Sequence, residues 1–244
     1  MLHTQGIVIR TIKYGETSII ADIFTEEKGL CTFIGGSVRT ARSSMPFSLF
    51  QPMTVIDLVS YWKDDINALH RLKECKASLV WTGIPFELKK GAVVLFMAEV
   101  LRKCLHAGDN NEVLYEDLLR ILHFLDETPG PVANIHLHFL TQLAGHLGFQ
   151  PQVDEDTAMP FFDLKEGAVT DLAPLHGQYM GARETENLTA LCSVSLAEGA
   201  ALEMSYNDRK TLLSKLLLYF QLHVPGFDEI HTPAVLEMVM QHEK

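Results

Sequence analysis

Residues 5–36 read QGIVIRTIKYGETSIIADIFTEEKGLCTFIGG, and three strands are written in them. Residues 5–11 are rich in β-branched side chains, residues 13–16 (KYGE) hold a glycine turn, and residues 17–24 form a second apolar run. Residues 26–29 (EEKG) supply the next turn, and residues 30–35 end in Gly35-Gly36. Further on, residues 51–61 (QPMTVIDLVSY) read as a fourth strand and residues 66–75 as a fifth. Five short strands with glycine turns inside about 75 residues predict a small β-barrel. Residues 37–50, with Arg39, Arg42, several serines and a proline, read as a loop with room for a short helical turn.

After residue 80 the period changes. Residues 85–106 place Leu88, Val93, Val94, Phe96, Met97, Val100, Leu101 and Leu105 at helical spacing. Residues 112–125 repeat the pattern until Thr128-Pro129-Gly130-Pro131 stops it, and residues 132–147 form a third helix ending at Gly148. Residues 150–182 break the period with prolines, glycines and the acidic run Asp154-Glu155-Asp156; short β-like pieces at 159–164 and 167–171 flank a turn at Lys165-Glu166. Helices resume at 184–192 and at 208–222, the latter with Asn207 as N-cap. A last one, to Met240, has Thr232 as N-cap and Pro233 as first helical residue. The expected class is α+β: a barrel domain over residues 1–80, then a helical domain over 81–244 with an insert at about 150–182.

Charge is divided along the chain. The net charge is −11. Residues 1–80 hold nine Lys/Arg against eight Asp/Glu, and the remainder eleven against twenty-three. Phosphate binding needs a basic footprint, so the N-terminal third is the place for an anionic ligand, while the acidic remainder suits solubility and protein partners. Four scattered cysteines, Cys31, Cys75, Cys104 and Cys192, read as reduced thiols rather than a disulfide framework. No apolar run approaches the roughly 20 residues of a membrane span. The opening MLHTQGIVIR has no basic segment followed by an apolar core, so no leader is expected and the chain reads as cytoplasmic.

Enzyme motifs are missing: no G-x-G-x-x-G, phosphate loop, H-E-x-x-H or G-x-S-x-G occurs. His136 and His138 lie two apart on a helix and point about 200° away from each other. His138 and His146 share a face but stand roughly 12 Å apart along the axis. Cys104, His106 and Asp109 could approach one another but lack zinc-ribbon spacing. The basic residues of the barrel carry more promise. Lys13 and Tyr14 precede the first turn. Arg39 and Arg42 sit in a stretch, residues 30–50, without a single acid. Arg71 and Lys73 alternate on the fifth strand and so face one side. Lys13, Arg39, Arg42, Arg71 and Lys73 are the candidate nucleic-acid-binding residues, since charge can track a backbone while rings stack on bases. From spacing alone, the same residues read more readily as ordinary surface charges on a barely basic domain.

Taken in order, GIVIRTIKYGETSIIADIFTEEKGLCTFIGGSVR at the start, HLGFQPQVD at 146–154 and RKTLLSKLLLYFQLH at 209–223 resemble the RecO family across nearly the whole chain. The resemblance implies an OB-fold followed by a helical domain. It also implies recombinational repair without covalent chemistry or cofactor: binding single-stranded DNA, annealing strands, and helping to load the RecA recombinase. The implied partners are RecR and the C-terminal tail of the single-stranded-DNA-binding protein, with action at the nucleoid. Many members carry a four-cysteine zinc site in the insert. Here residues 150–182 hold no cysteine and one histidine, His176, so no zinc is expected and packing by Phe161, Phe162, Leu164 and Tyr179 is expected instead. Candidate cations for the tail are Arg102, Lys103, Arg209, Lys210 and Lys215. Two other readings stay open: a protein-interaction scaffold with little DNA affinity, and an enzyme with a histidine site in the helical part.

Overall fold

The computed structural model describes residues 1–40, 42–153 and 159–241. The acidic run at 154–156 lies outside them. Two compact units divide the chain: residues 1–85 with 94–120, and residues 86–93 with those from 121 on.

The first unit is built on five strands: β1 (Leu2–Tyr14), β2 (Ser18–Thr25), β3 (Gly29–Gly35), β4 (Val55–Tyr61) and β5 (His70–Ala77). They close in the order β1-β2-β3-β5-β4, with β3 and β5 parallel and every other pair antiparallel. This is an OB-fold barrel, as the strand pattern and the resemblance led one to expect. β1 is longer than its apolar run because it serves two neighbours. Its first half pairs with β4 and its second half with β2, and a bulge between Val8 and Arg10 bends it. Inward side chains fill the barrel, among them Ile19, Ile23, Phe33, Phe50, Leu58 and Leu72. The loop after β3 helps to plug it with Val38, Met45 and the short 3-10 helix Phe47–Phe50. The fourth strand begins at Val55 rather than residue 51. Residues 51–54 instead turn the chain back, with the Met53 and Val8 backbones bonded across the junction.

At Gly29 the chain must adopt φ +64, and a Cβ there would meet the Asp109 carbonyl at 2.0 Å. Only glycine allows that approach. The turn between β2 and β3 thereby rests on residues 105–110, where Gly108 N–H donates to the Leu30 carbonyl at 3.1 Å.

Helices α1 (Leu88–Cys104) and α2 (Glu112–Glu127) contribute to both units. The second unit continues with α3 (Ile135–His146), a small sheet of β6 (Phe161–Asp163), β7 (Ala168–Thr170) and β8 (Tyr179–Met180), then α4 (Ala182–Ser193), α5 (Leu196–Ala201), α6 (Tyr206–His223) and α7 (Thr232–Met240). α3 packs against α4, α5 and α6 and is buried over most of its length. It ends where the sequence placed Gly148. That residue takes φ +87, and the Gly148 and Phe149 N–H groups donate back to the Gly145 and Ala144 carbonyls. This Schellman ending delivers Phe149 onto Tyr219, Phe220 and His223 of α6, with ring centres 5.1–5.4 Å apart. In the insert sheet, ordered β7-β6-β8, Phe162 and Leu164 are fully buried and Phe161 meets Tyr179 edge-on at 5.4 Å.

Two helix starts differ from expectation. The N-cap of α6 is Ser205, whose hydroxyl accepts from the Asp208 N–H, and not Asn207. An extended residue is needed at the cap, and Ser205 supplies it with ψ 157 while Asn207 is already helical. Likewise His231 precedes α7, and Thr232 is its first helical residue. No helix among the described residues is long and apolar enough to cross a membrane.

Candidate nucleic-acid interface

Pairing registers decide where the five basic residues stand. Arg71 lies opposite Tyr61 of β4 and beside Ile34 of β3. Its flanking residues His70 and Leu72 are buried, so Arg71 points outward, and it makes no ion pair among the described residues. Lys73 falls at the bulge where Val59 and Ser60 face Glu74 and Leu72, an irregularity that alternation alone would not show. The extra residue keeps Lys73 exposed beside Glu74, whose carboxylate takes its ammonium at 3.1 Å. Lys73 therefore brings less net charge than its position suggested.

Arg39 and Lys13 meet at the first hairpin. The Arg39 guanidinium donates to the Gly15 carbonyl at 3.3 Å, and its backbone N–H to the Thr17 carbonyl at 2.9 Å. This ties the basic loop to the β1–β2 turn. Lys13 pairs with Ile19, an inward residue, so it stands on the core side of β1 and is exposed because it lies near the strand's end. It does not share the outward face of Arg71. Arg42 is exposed in the turn beyond Arg39. The five residues thus form two groups, one at the hairpin and one on β5.

The sequence reading missed Tyr61. Like Tyr14, it is about half exposed, at 50% against 53%. Tyr14 stood out by its place beside the first turn, whereas Tyr61 carried no such signal, because exposure of a tyrosine within a strand depends on which face its register assigns. Trp62 is instead committed to structure, stacked at 4.0 Å on buried His70. Burial, with Lys63 nearby, holds the His70 imidazole below its usual range. A cleft of about 600 Å³ near His3, Met45 and Val59 carries the carboxylates Asp57 and Glu74, and its one lysine, Lys76, is 3.5 Å from Asp57. That cleft does not suit a phosphate.

Catalytic and metal chemistry find little footing. Burial pushes the Cys31 thiol up to about 11 and those of Cys75, Cys104 and Cys192 to about 12, which keeps them protonated. Asp109 caps its own turn by accepting from the His106 N–H at 2.7 Å. Among the described residues no group of three histidine, cysteine or acidic side chains could hold a metal ion. The insert does not fit a four-thiolate zinc centre. Both ring nitrogens of His176 are engaged, Nε2 with Asp163 at 3.0 Å and Nδ1 as acceptor from the Gln178 N–H.

In the second unit, a groove of about 540 Å³ runs along α6 towards α7, lined by Leu217, Leu218, Phe227, Ile230 and Pro233. Lys210 and Lys215 border it. Lys210 is paired to Glu237 at 2.9 Å, and Lys215 donates to the Tyr179 carbonyl. Arg209 donates to the Met204 carbonyl, and Arg102 and Lys103 belong to the first unit.

Comparison with known proteins gives the family. A family model described as Recombination protein O N terminal matches residues 1–78, and one described as Recombination protein O C terminal matches residues 85–226. A protein named DNA repair protein RecO from Phocaeicola vulgatus is 30% identical over 234 residues, covering 96% of this chain and 97% of its own. Proteins of the same name from Christiangramia forsetii and Bacteroides fragilis are each 30% identical, over 240 and 235 residues, and cover 98% and 96% of this chain and 99% and 97% of their own. The chain belongs to the RecO family of DNA repair proteins.

Proposed function

We propose that the barrel grips single-stranded DNA and that the chain acts as a recombination mediator, annealing strands and assisting RecR in loading the RecA recombinase, with no covalent chemistry of its own. The observation that carries this reading is the hairpin end of the barrel. There Arg39 is anchored to the β1–β2 turn next to Lys13 and Tyr14, in a chain whose net charge is otherwise strongly negative. OB-folds use the face of their second and third strands and the adjoining turns to hold oligonucleotides, and Arg39, Arg42 and Arg71 border that face. Arginine suits the task because its planar fork serves both phosphate and ring. The organisation behind the reading is a DNA-gripping part over residues 1–80 and a partner-binding part over 81–244, acting in the cytoplasm at the nucleoid. The groove along α6, with Lys210 and Lys215 at its border, suits the acidic, apolar tail of the single-stranded-DNA-binding protein.

Titration of a labelled oligonucleotide at several salt concentrations tests the DNA reading. Neutralising three or four phosphates gives a slope of log affinity on log salt of roughly −2 to −3. Replacing Arg39 and Arg42 together by Ala weakens binding to all sequences alike and flattens the slope, with folding intact because exposed charges contribute little to stability. Unchanged affinity in the folded double variant overturns the assignment. The acidic balance of the chain favours one rival, a scaffold that binds repair proteins through its helical part. It predicts no measurable DNA binding by the unaltered protein at either low or moderate salt.

A further inference from the structure

A row of side chains crosses the outside of the barrel that no sequence motif announces. Ile12 lies opposite Ile20, Ile20 opposite Ile34, Ile34 beside Arg71, and Arg71 opposite Tyr61. Residues facing one another across a ladder point to the same side. That side is outward, because the neighbours Ile19, Phe33, Leu72 and Ser60 are all buried. The row therefore touches all five strands, and four strand spacings make it roughly 19 Å long. Ile12 remains 43% exposed, and Ile20 and Ile34 are half-buried. The solvent face of an antiparallel sheet is ordinarily polar, so three isoleucines in line there call for a ligand.

The surroundings say what kind. Along the neighbouring row, Asp22 gives one carboxylate oxygen to Arg10 at 2.8 Å and the other to the Thr32 hydroxyl at 3.0 Å. Asp22 is the only acidic residue in β2 and β3, and Asp57 of β4 and Glu74 of β5 are paired with Lys76 and Lys73, so each strand acid here has a cationic partner although the chain is acidic. Arg71 stands within the row, and Tyr14 and Tyr61 present rings near its two ends. A ligand with flat apolar faces and a negative backbone matches all of these features. A single strand of nucleic acid offers both, whereas a duplex hides its bases.

The geometry points to the Ile12–Ile20–Ile34 row, with Tyr61, as the floor on which bases lie, Arg71 taking a neighbouring phosphate. This inference rests on the DNA-binding reading above and adds a second, salt-independent part to the affinity. It predicts that the unaltered full chain binds a labelled oligothymidylate roughly tenfold or more tightly than an abasic strand of equal length. Ile12→Ala with Ile34→Ala removes that preference and leaves the salt slope in place. Tyr61→Ala, outside the core, reduces the preference in the same direction and serves if the isoleucine pair impairs folding. Arg39→Ala with Arg42→Ala does the reverse, flattening the slope and keeping the preference. If the unaltered protein binds both strands equally, or if the folded isoleucine variant keeps its preference, the row is not a base floor and belongs to a protein partner. If it binds neither strand at low salt, the DNA reading itself falls, and this inference with it.

Discussion

His136 shows how one buried side chain sets a condition on the whole fold. Its imidazole is almost wholly enclosed on α3, and burial together with the positive charge of Arg209 pushes its pKa down to about 3. An unfolded histidine titrates near 6.5. Between these values the unfolded chain binds a proton that the native chain refuses, so stability is complete above about 6.5 and declines as pH falls towards 3. The expected loss from this group is roughly 2 kcal/mol between pH 6.5 and 5, at 1.36 kcal/mol per pH unit. Urea unfolding of the native chain and of His136→Gln at both pH values checks it: the variant should show the shallower decline, and equal declines would refute it. The two histidines, His136 and His138, were legible in the sequence as residues facing apart. That both would be enclosed was not, because α3 is buried on nearly all sides by helices distant in sequence.

At the scale of elements, local rules located most of the structure and missed where partners intervene. The hairpin turns, the barrel's strand count and the end of α3 followed from glycine placement and apolar period. α5 was missed although its capping box is present in the sequence: Ser195 and Glu198 bond reciprocally, and six residues were too short for a periodic signal. β8 is two residues long and exists only through its pairing with β6. The candidate site divides the same way. Basic residue types could be read directly, but the bulge that sets Lys73 beside Glu74 and the register that sets Tyr61 opposite Arg71 depend on strands meeting across a loop. The cap of α6 gives a clean element-level test. Ser205→Ala should cost about 1 kcal/mol, whereas Asn207→Ala, two residues further along and exposed, should change stability by less than about 0.5 kcal/mol. Thermal or urea unfolding distinguishes them, and equal losses would return the cap to Asn207.

For the molecule as a whole, the strand-built part does not end where its last strand ends. Phe24, fully buried although it points away from the barrel core, packs against Tyr115 of α2 with ring centres 5.8 Å apart. The Tyr115 hydroxyl donates to the Gln5 Oε1 at 3.1 Å, and Gln5 donates in turn to the Ser78 hydroxyl. Residues 94–120 complete the first unit. Tyr115→Ala removes a buried aromatic and should cost about 3–5 kcal/mol, while Tyr115→Phe, which loses only the hydrogen bond, should cost about 1–2 kcal/mol. Urea unfolding monitored by circular dichroism measures both; a neutral Tyr115→Ala would mean that the barrel stands without α2.

The parallel pairing of β3 with β5 has a consequence for the way the chain is made. β3 is complete at Gly35, but its partner ends at Ala77, so a ribosome must add 42 further residues before the seam can close. At ordinary elongation rates that takes roughly 2 to 8 seconds. Throughout that interval the nascent three-stranded sheet presents β3 as an open edge beside its apolar side chains, a state prone to pairing with another chain. Birth, rather than the finished barrel, is when this protein most needs protection by chaperones.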